Sequence, residues 1–178
     1  GFKPTKAGTY TVVAKTDFED SNADDNQSDA TFTVTTNQFG RDNGTYVGGM
    51  GNSSGIIVAN KFELKQTDVI GSFLIAFRLS ESTEFTLRIY SLNDEETSAT
   101  QVYESGIFNR DAATAVNELT EFKIEPQSLT AGKYLCAINQ FNPTNIACCY
   151  DGVSNGLFYL VNNNGELSKY ENSTYGNI

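Results

Sequence analysis

The stretch "EFTLRIYSL", residues 84–92, decides the fold. Phe85, Leu87 and Ile89 alternate in it with Glu84, Thr86 and Arg88. Successive side chains of a strand point to opposite faces, so a period of two predicts a strand with the apolar set inward and the polar set in water. "IIVANKFEL" at 56–64 has the same character, with Ile56, Val58, Phe62 and Leu64 on one face, and "EFKIEP" at 121–126 places Phe122 and Ile124 together. Further strands are expected over 68–79, 100–106, 132–140, 145–150 and 156–162, separated by turn-forming clusters such as "LNDEETS", "NQFNPTN" and "VNNNGE". No window carries a capped helical period. Strands recurring every ten to fifteen residues without helices between them predict an all-β, antiparallel β-sandwich of jelly-roll-like kind.

Composition narrows the function. The chain of 178 residues holds 22 acidic and 12 basic residues, a net charge of −10, with no His and no Trp. An acidic surface repels phosphate backbones, which argues against nucleic acid and anionic lipid as partners. The longest apolar run, "VIGSFLIAF" at 69–77, has the length of a buried strand and falls far short of the ~20 residues of a spanning helix, so no membrane insertion is expected. Without His, the Ser-His-Asp and Cys-His arrangements cannot be built and zinc loses its principal ligand. Carboxylate chemistry is the remaining enzymatic route. Asp94, Glu95, Glu96, Glu104 and Glu121 are the candidates for a glycosidase pair, although nothing in the sequence brings two of them together and solvated charge is the simpler reading. The glycine-rich "GTYVGGMGNSSG" at 44–55 lacks the Gly-Lys-Ser/Thr ending of a phosphate loop and reads as a flexible connector.

Ahead of these strands, residues 6–36 read as a hairpin. One strand runs over about 8–16 with Tyr10, Val12 and Ala14 on one face, and a second over about 30–36 carries Phe32 and Val34. The connection, "DFEDSNADDNQSD" at 17–29, holds six carboxylates, Asp17, Glu19, Asp20, Asp24, Asp25 and Asp29. Hard oxygen donors at this density suit Ca²⁺, although the order is not that of an EF-hand; the alternative is a solvated loop that keeps a sheet edge soluble. No other cofactor is implied. Cys136 in "KYLCAINQ" and the adjacent Cys148 and Cys149 in "IACCYD" flank "FNPTN". If their strands form a hairpin, Cys136 can bridge to Cys148 or Cys149; otherwise all three serve as small core hydrophobes. Any sugar-stacking platform must come from tyrosine, and Tyr46, Tyr90, Tyr103, Tyr150, Tyr159, Tyr170 and Tyr175 are available, with Tyr90 favoured because it is out of phase with Phe85, Leu87 and Ile89.

Two resemblances extend the reading. "P-x-x-A-G-T-Y-T-V" at 4–12, followed by an acidic, Asn-rich loop and "ATFTV" at 30–34, resembles the last two strands of immunoglobulin-like and adhesion-type repeats of secreted bacterial proteins. It implies that residues 1–36 are the C-terminal hairpin of a repeat whose earlier strands lie upstream, in a longer protein. "FGRDNGTYVGG" at 39–49, "VANKFEL" at 58–64, "LTAGKYLCAI" at 129–138 and "LFYLVNNNGELSKYENSTYGNI" at 157–178 resemble, in that order, a β-sandwich domain of Bacteroidetes surface proteins, many of them exported by the type IX route. This resemblance makes residues 37–178 the second domain and brings no catalytic residues with it. It implies a non-enzymatic, extracellular or cell-surface module for adhesion or ligand binding, with a glycan or protein ligand. A carbohydrate-binding module attached to a polysaccharide-degrading enzyme is the alternative. A lone hairpin is marginal in water, so its apolar face and open edges are expected to seek a partner, self-association included.

Overall fold

The computed structural model describes residues 3–17, 26–40, 42, 44–51, 57–153, 156–162 and 164–169, and Ile56 lies outside them. Two compact units make up the chain, Gly1–Gly40 and Arg41–Ile178. Both are all-β, with no helix among the described residues.

The first unit is a ladder of β1 (Gly8–Lys15) and β2 (Gln27–Val34), paired antiparallel from Gly8↔Val34 to Lys15↔Gln27 without a bulge. Tyr10 faces Phe32 and their rings stack at 5.5 Å, while Val12 lies opposite Ala30 on the same face. This face is the expected one, but it is wet: Val12 is 53 % and Phe32 39 % exposed. Asp29, expected in the connecting loop, instead pairs with Val13 inside the ladder.

In the second unit, β4 (Ile57–Leu64), β6 (Thr83–Leu92), β7 (Ala99–Glu104), β8 (Phe108–Arg110), β10 (Gly132–Gln140), β12 (Phe158–Val161) and β13 (Leu167–Lys169) form one antiparallel sheet. Its order is β13-β12-β4-β10-β6-β7, with β8 also on β6. Two smaller ladders accompany it, β5 (Asp68–Ala76) with β9 (Leu119–Leu129) and β3 (Gly48–Met50) with β11 (Cys148–Tyr150). Phe85, Leu87 and Ile89 are fully buried, as the alternation predicts. They pack with Phe73 and Ile75 of β5, Phe122 and Ile124 of β9, and Val58, Phe62 and Ile138 of the large sheet. Phe122 meets both Phe85 and Phe108 edge-on at 5.3 Å, an arrangement that satisfies the ring quadrupoles and joins β9 to the large sheet.

The opposite face of β6 departs from expectation. Thr86 and Tyr90 are buried rather than wet, and Arg88 is largely covered. β6 lies inside the sheet beside β10, and this face has its own apolar cluster of Ile57, Ala59, Leu135, Ala137, Tyr159, Val161 and Tyr90. β4 and β10 announce the second core: "IVA" and "LCAI" are continuous apolar runs, the pattern of strands buried on both faces.

β9 continues beyond "EFKIEP", and Pro126 survives within it because β9 pairs with β5 alone among the described residues and Pro126 falls where that ladder slips. The register slips there: Ile70 faces Gln127 and Ser72 faces Lys123, so Gly71 spans Ile124, Glu125 and Pro126. Arg110 is wholly buried and forms no salt bridge among the described residues. It donates to the backbone carbonyls of Glu81 (2.8 Å), Asn145 (2.9 Å) and Ile146, and its guanidinium lies 5.7 Å from the Phe77 ring centre. The fork thus satisfies the Asn145 and Ile146 carbonyls of the irregular 141–147 segment together with the Glu81 carbonyl just before β6.

Candidate functional site

The second face of the large sheet gathers the polar side chains of most chemical interest. Lys61 lies across from Leu135, Tyr159 across from Ala59, and Lys133 is two residues before Leu135. A period of two therefore puts Lys61, Lys133 and Tyr159 on one face. The fourth member comes from the β6–β7 turn. Asn93 shapes that turn by accepting from the Thr97 and Ser98 amides at 2.8 and 2.9 Å, while Glu96 adopts a left-handed φ of 58° and donates its amide to the Asn93 carbonyl. Glu96 accepts from Lys61 through both carboxylate oxygens at 2.9 Å, from Tyr159 at 2.7 Å and from Lys133 at 3.0 Å. Its side chain is 17 % exposed. Hydrogen bonds from Lys61 and Tyr159 hold its carboxyl down to about 2.

A second network lies on the same face toward the β7 side. Asn139 donates to the Thr86 hydroxyl at 3.0 Å, which donates to Glu104 at 2.8 Å. Arg88 donates to the same Glu104 oxygen at 2.9 Å and to the Tyr90 hydroxyl at 3.3 Å. Burial works to raise the Glu104 carboxyl, but hydrogen bonds from Arg88 and Thr86 outweigh it and keep it below the ordinary range. Of the five candidate carboxylates, these two are engaged in built networks. Asp94, Glu95 and Glu121 are exposed, with Glu95 accepting from Asn93 at 3.0 Å.

Tyr90 is out of phase with its apolar neighbours, as expected, but it is 4 % exposed and offers no open ring face. Tyr159 is fully buried, Tyr46, Tyr103 and Tyr150 are half-buried, and Tyr170 and Tyr175 lie outside the described residues. The glycine-rich segment is also corrected in part, since Gly48–Met50 is strand β3 rather than connector. A Cβ on Gly48 would sit 2.4 Å from the Tyr150 hydroxyl, and one on Gly49 2.6 Å from the Arg78 Cβ, so the glycines permit a close strand approach.

β10 does not form a hairpin with β11: its neighbours are β4 and β6, while β11 pairs with β3. Cys136, Cys148 and Cys149 are free thiols. Cys148 belongs to the main core and Cys136 packs against it. Burial raises all three, Cys136 to about 12, which leaves little thiolate for nucleophilic chemistry. Of the calcium candidates, Glu19, Asp20, Asp24 and Asp25 lie outside the described residues. Asp17 is exposed beyond the end of β1, and Asp29 is exposed within β2. Among the described residues no three His, Cys, Asp or Glu side chains converge as a metal set. No described helix is long and apolar enough to cross a membrane.

Compared with protein-family models, curated proteins and solved structures, the chain matches none.

Proposed function

We propose that this chain is a non-enzymatic extracellular adhesion or ligand-binding module, of the kind carried by larger Bacteroidetes surface proteins. The observation that supports it is the state of the two networked carboxylates. Glycoside hydrolysis by a carboxylate pair needs one member that keeps its proton near neutral pH, which calls for an apolar or like-charged setting. Glu96 and Glu104 have the opposite setting: each is tied to cationic side chains and held ionised. Such pairs lock strands and a turn together rather than deliver a proton. Incubating the chain with polysaccharides over about pH 4–8 and assaying reducing ends tests this directly. No release at any pH is expected, together with retention of the chain on an immobilised glycan or protein ligand. A bell-shaped release profile overturns the proposal.

A carbohydrate-binding role is the second reading. It is favoured by the Arg88–Glu104 pair and Gln101, whose side-chain amide donates to Glu104 at 3.3 Å. These groups sit near the β6–β7 edge with Glu104 34 % exposed, and sugar hydroxyls need such paired donors and acceptors. A glycan-array signal that Glu104→Gln abolishes without lowering stability selects it. A blank array with retention on a protein ligand selects adhesion.

A further inference from the structure

We infer that the connection from β10 to β11, residues 141–147, is a binding site for a neutral saccharide, with the Phe141 ring as its stacking surface and the Asn142 and Asn145 side-chain amides as its hydrogen-bond donors. The inference rests on the ligand-binding reading above but not on the Arg88–Glu104 pair.

The connection, "FNPTNIA", is irregular, yet three buried polar side chains are committed to its shape. Gln140 donates to the Asn142 and Thr144 carbonyls at 3.0 Å and accepts from the Ile146 amide at 3.0 Å. Thr83 donates to the Thr144 carbonyl at 3.1 Å, and Arg110 holds the Asn145 and Ile146 carbonyls. Ala147 closes the segment at a left-handed φ of 48°, a conformation that a non-glycine residue keeps only where its surroundings impose it. Tethers from the body of the unit thus set this backbone in advance, and groups already held in place lose little entropy when a ligand arrives.

What the fixed backbone presents is an open ring beside two amides. Phe141 is 40 % exposed and is the one exposed aromatic side chain of the second unit among the described residues, so it takes the platform role expected of tyrosine. The Asn142 Oδ1 accepts from the Thr144 amide at 3.0 Å, and the Asn145 Oδ1 from the Ala147 amide at 2.8 Å. Those backbone donors decide which end of each side-chain amide faces inward, and each Nδ2 has no acceptor among the described residues. Oriented N–H donors beside an apolar ring match a pyranose, which offers a C–H face to the ring and hydroxyl oxygens at its rim. Residues 140–147 include no charged side chain and the chain carries a net charge of −10, which selects a neutral saccharide over an acidic one. A protein partner needs roughly 800 Å² of contact on each side, far more than one ring provides.

Affinity electrophoresis of the whole chain in native gels cast with xylan, β-glucan or galactomannan tests the assignment. Retardation is expected in at least one of these neutral polysaccharides. Phe141→Ala should weaken it at least about tenfold, and Phe141→Tyr should preserve it. Asn145→Asp keeps an acceptor for the Ala147 amide and removes only the donor, so it should weaken binding about tenfold with little change in the midpoint of thermal unfolding. A segment that serves folding alone would leave retardation untouched by these changes. Glu104→Gln should not alter it. Retardation lost with Glu104→Gln and kept with Phe141→Ala overturns the inference and leaves the second functional reading standing. Absence of retardation in all three gels overturns it as well, and retention on a protein ligand that Phe141→Ala abolishes would then give the segment to a protein partner.

Discussion

The two units of this chain use the same local code and reach opposite outcomes. Phe32 and Val34 alternate with threonines as cleanly as Phe85, Leu87 and Ile89 alternate with polar residues, yet Phe32 is 39 % exposed and Phe85 fully buried. The difference lies in what each strand has beside and above it. β6 has β10 on one edge, β7 and β8 on the other, and Phe73 and Phe122 over its face, whereas β1 and β2 have only each other among the described residues. Alternation creates an apolar face, and only a second layer turns that face into a core.

The contrast is most sharply tested at the phenylalanines. Phe85→Ala should destabilise the second unit by about 3–5 kcal/mol in denaturant unfolding, the cost of lost contacts plus the cavity left among Phe77, Phe108 and Phe122. Phe32→Ala should cost under about 1 kcal/mol, since it removes one exposed cross-strand pair. Comparable costs at the two positions would break the comparison.

Arg110→Met comes next, at about 2–3 kcal/mol. The methionine keeps apolar bulk beside Phe77 but leaves the carbonyls of Glu81, Asn145 and Ile146 without their donors. Arg110→Lys should restore little of it, because one ammonium cannot reproduce the fork.

The Glu96 cluster should give a smaller and pH-dependent effect. Its folded carboxyl lies at about 2, below the ordinary carboxylate value, so the stabilisation is complete above the unfolded value near 4.5 and is lost as pH falls toward 2. Glu96→Gln should cost about 1–2 kcal/mol at pH 7, allowing for the partly open setting, and the difference from the unsubstituted chain should shrink steadily below about pH 4.5. A difference that holds constant down to pH 2 would show that packing of the turn, not the ion pairs with Lys61 and Lys133, carries the contribution.

The smallest effect concerns the thiols. Alkylation of the native chain should leave the mass almost unchanged, and alkylation after unfolding without reductant should add three groups, one for each of Cys136, Cys148 and Cys149. One added group would mean a bridge.

Much of the architecture was legible from the residues alone. Period-two segments located β1, β2, β4, β6 and β9, because side-chain alternation is a local property of extended backbone. The short strands β3, β8 and β13 were not legible, since three residues such as "GGM" or "FNR" hold too little pattern to read. β3 left one trace, a pair of glycines where two backbones come close.

What the sequence by itself determined was that this chain is built of strands, that they leave an acidic surface, and that no His-based chemistry is available to it. What only the tertiary structure decided was which neighbour each strand takes. That choice buried Tyr90 on a face expected to be wet, kept the cysteine strands in separate ladders, and brought residues 61, 96, 133 and 159 together around one carboxylate. Strand order follows from how two whole faces pack against their surroundings, a property of many distant residues at once that no local period encodes.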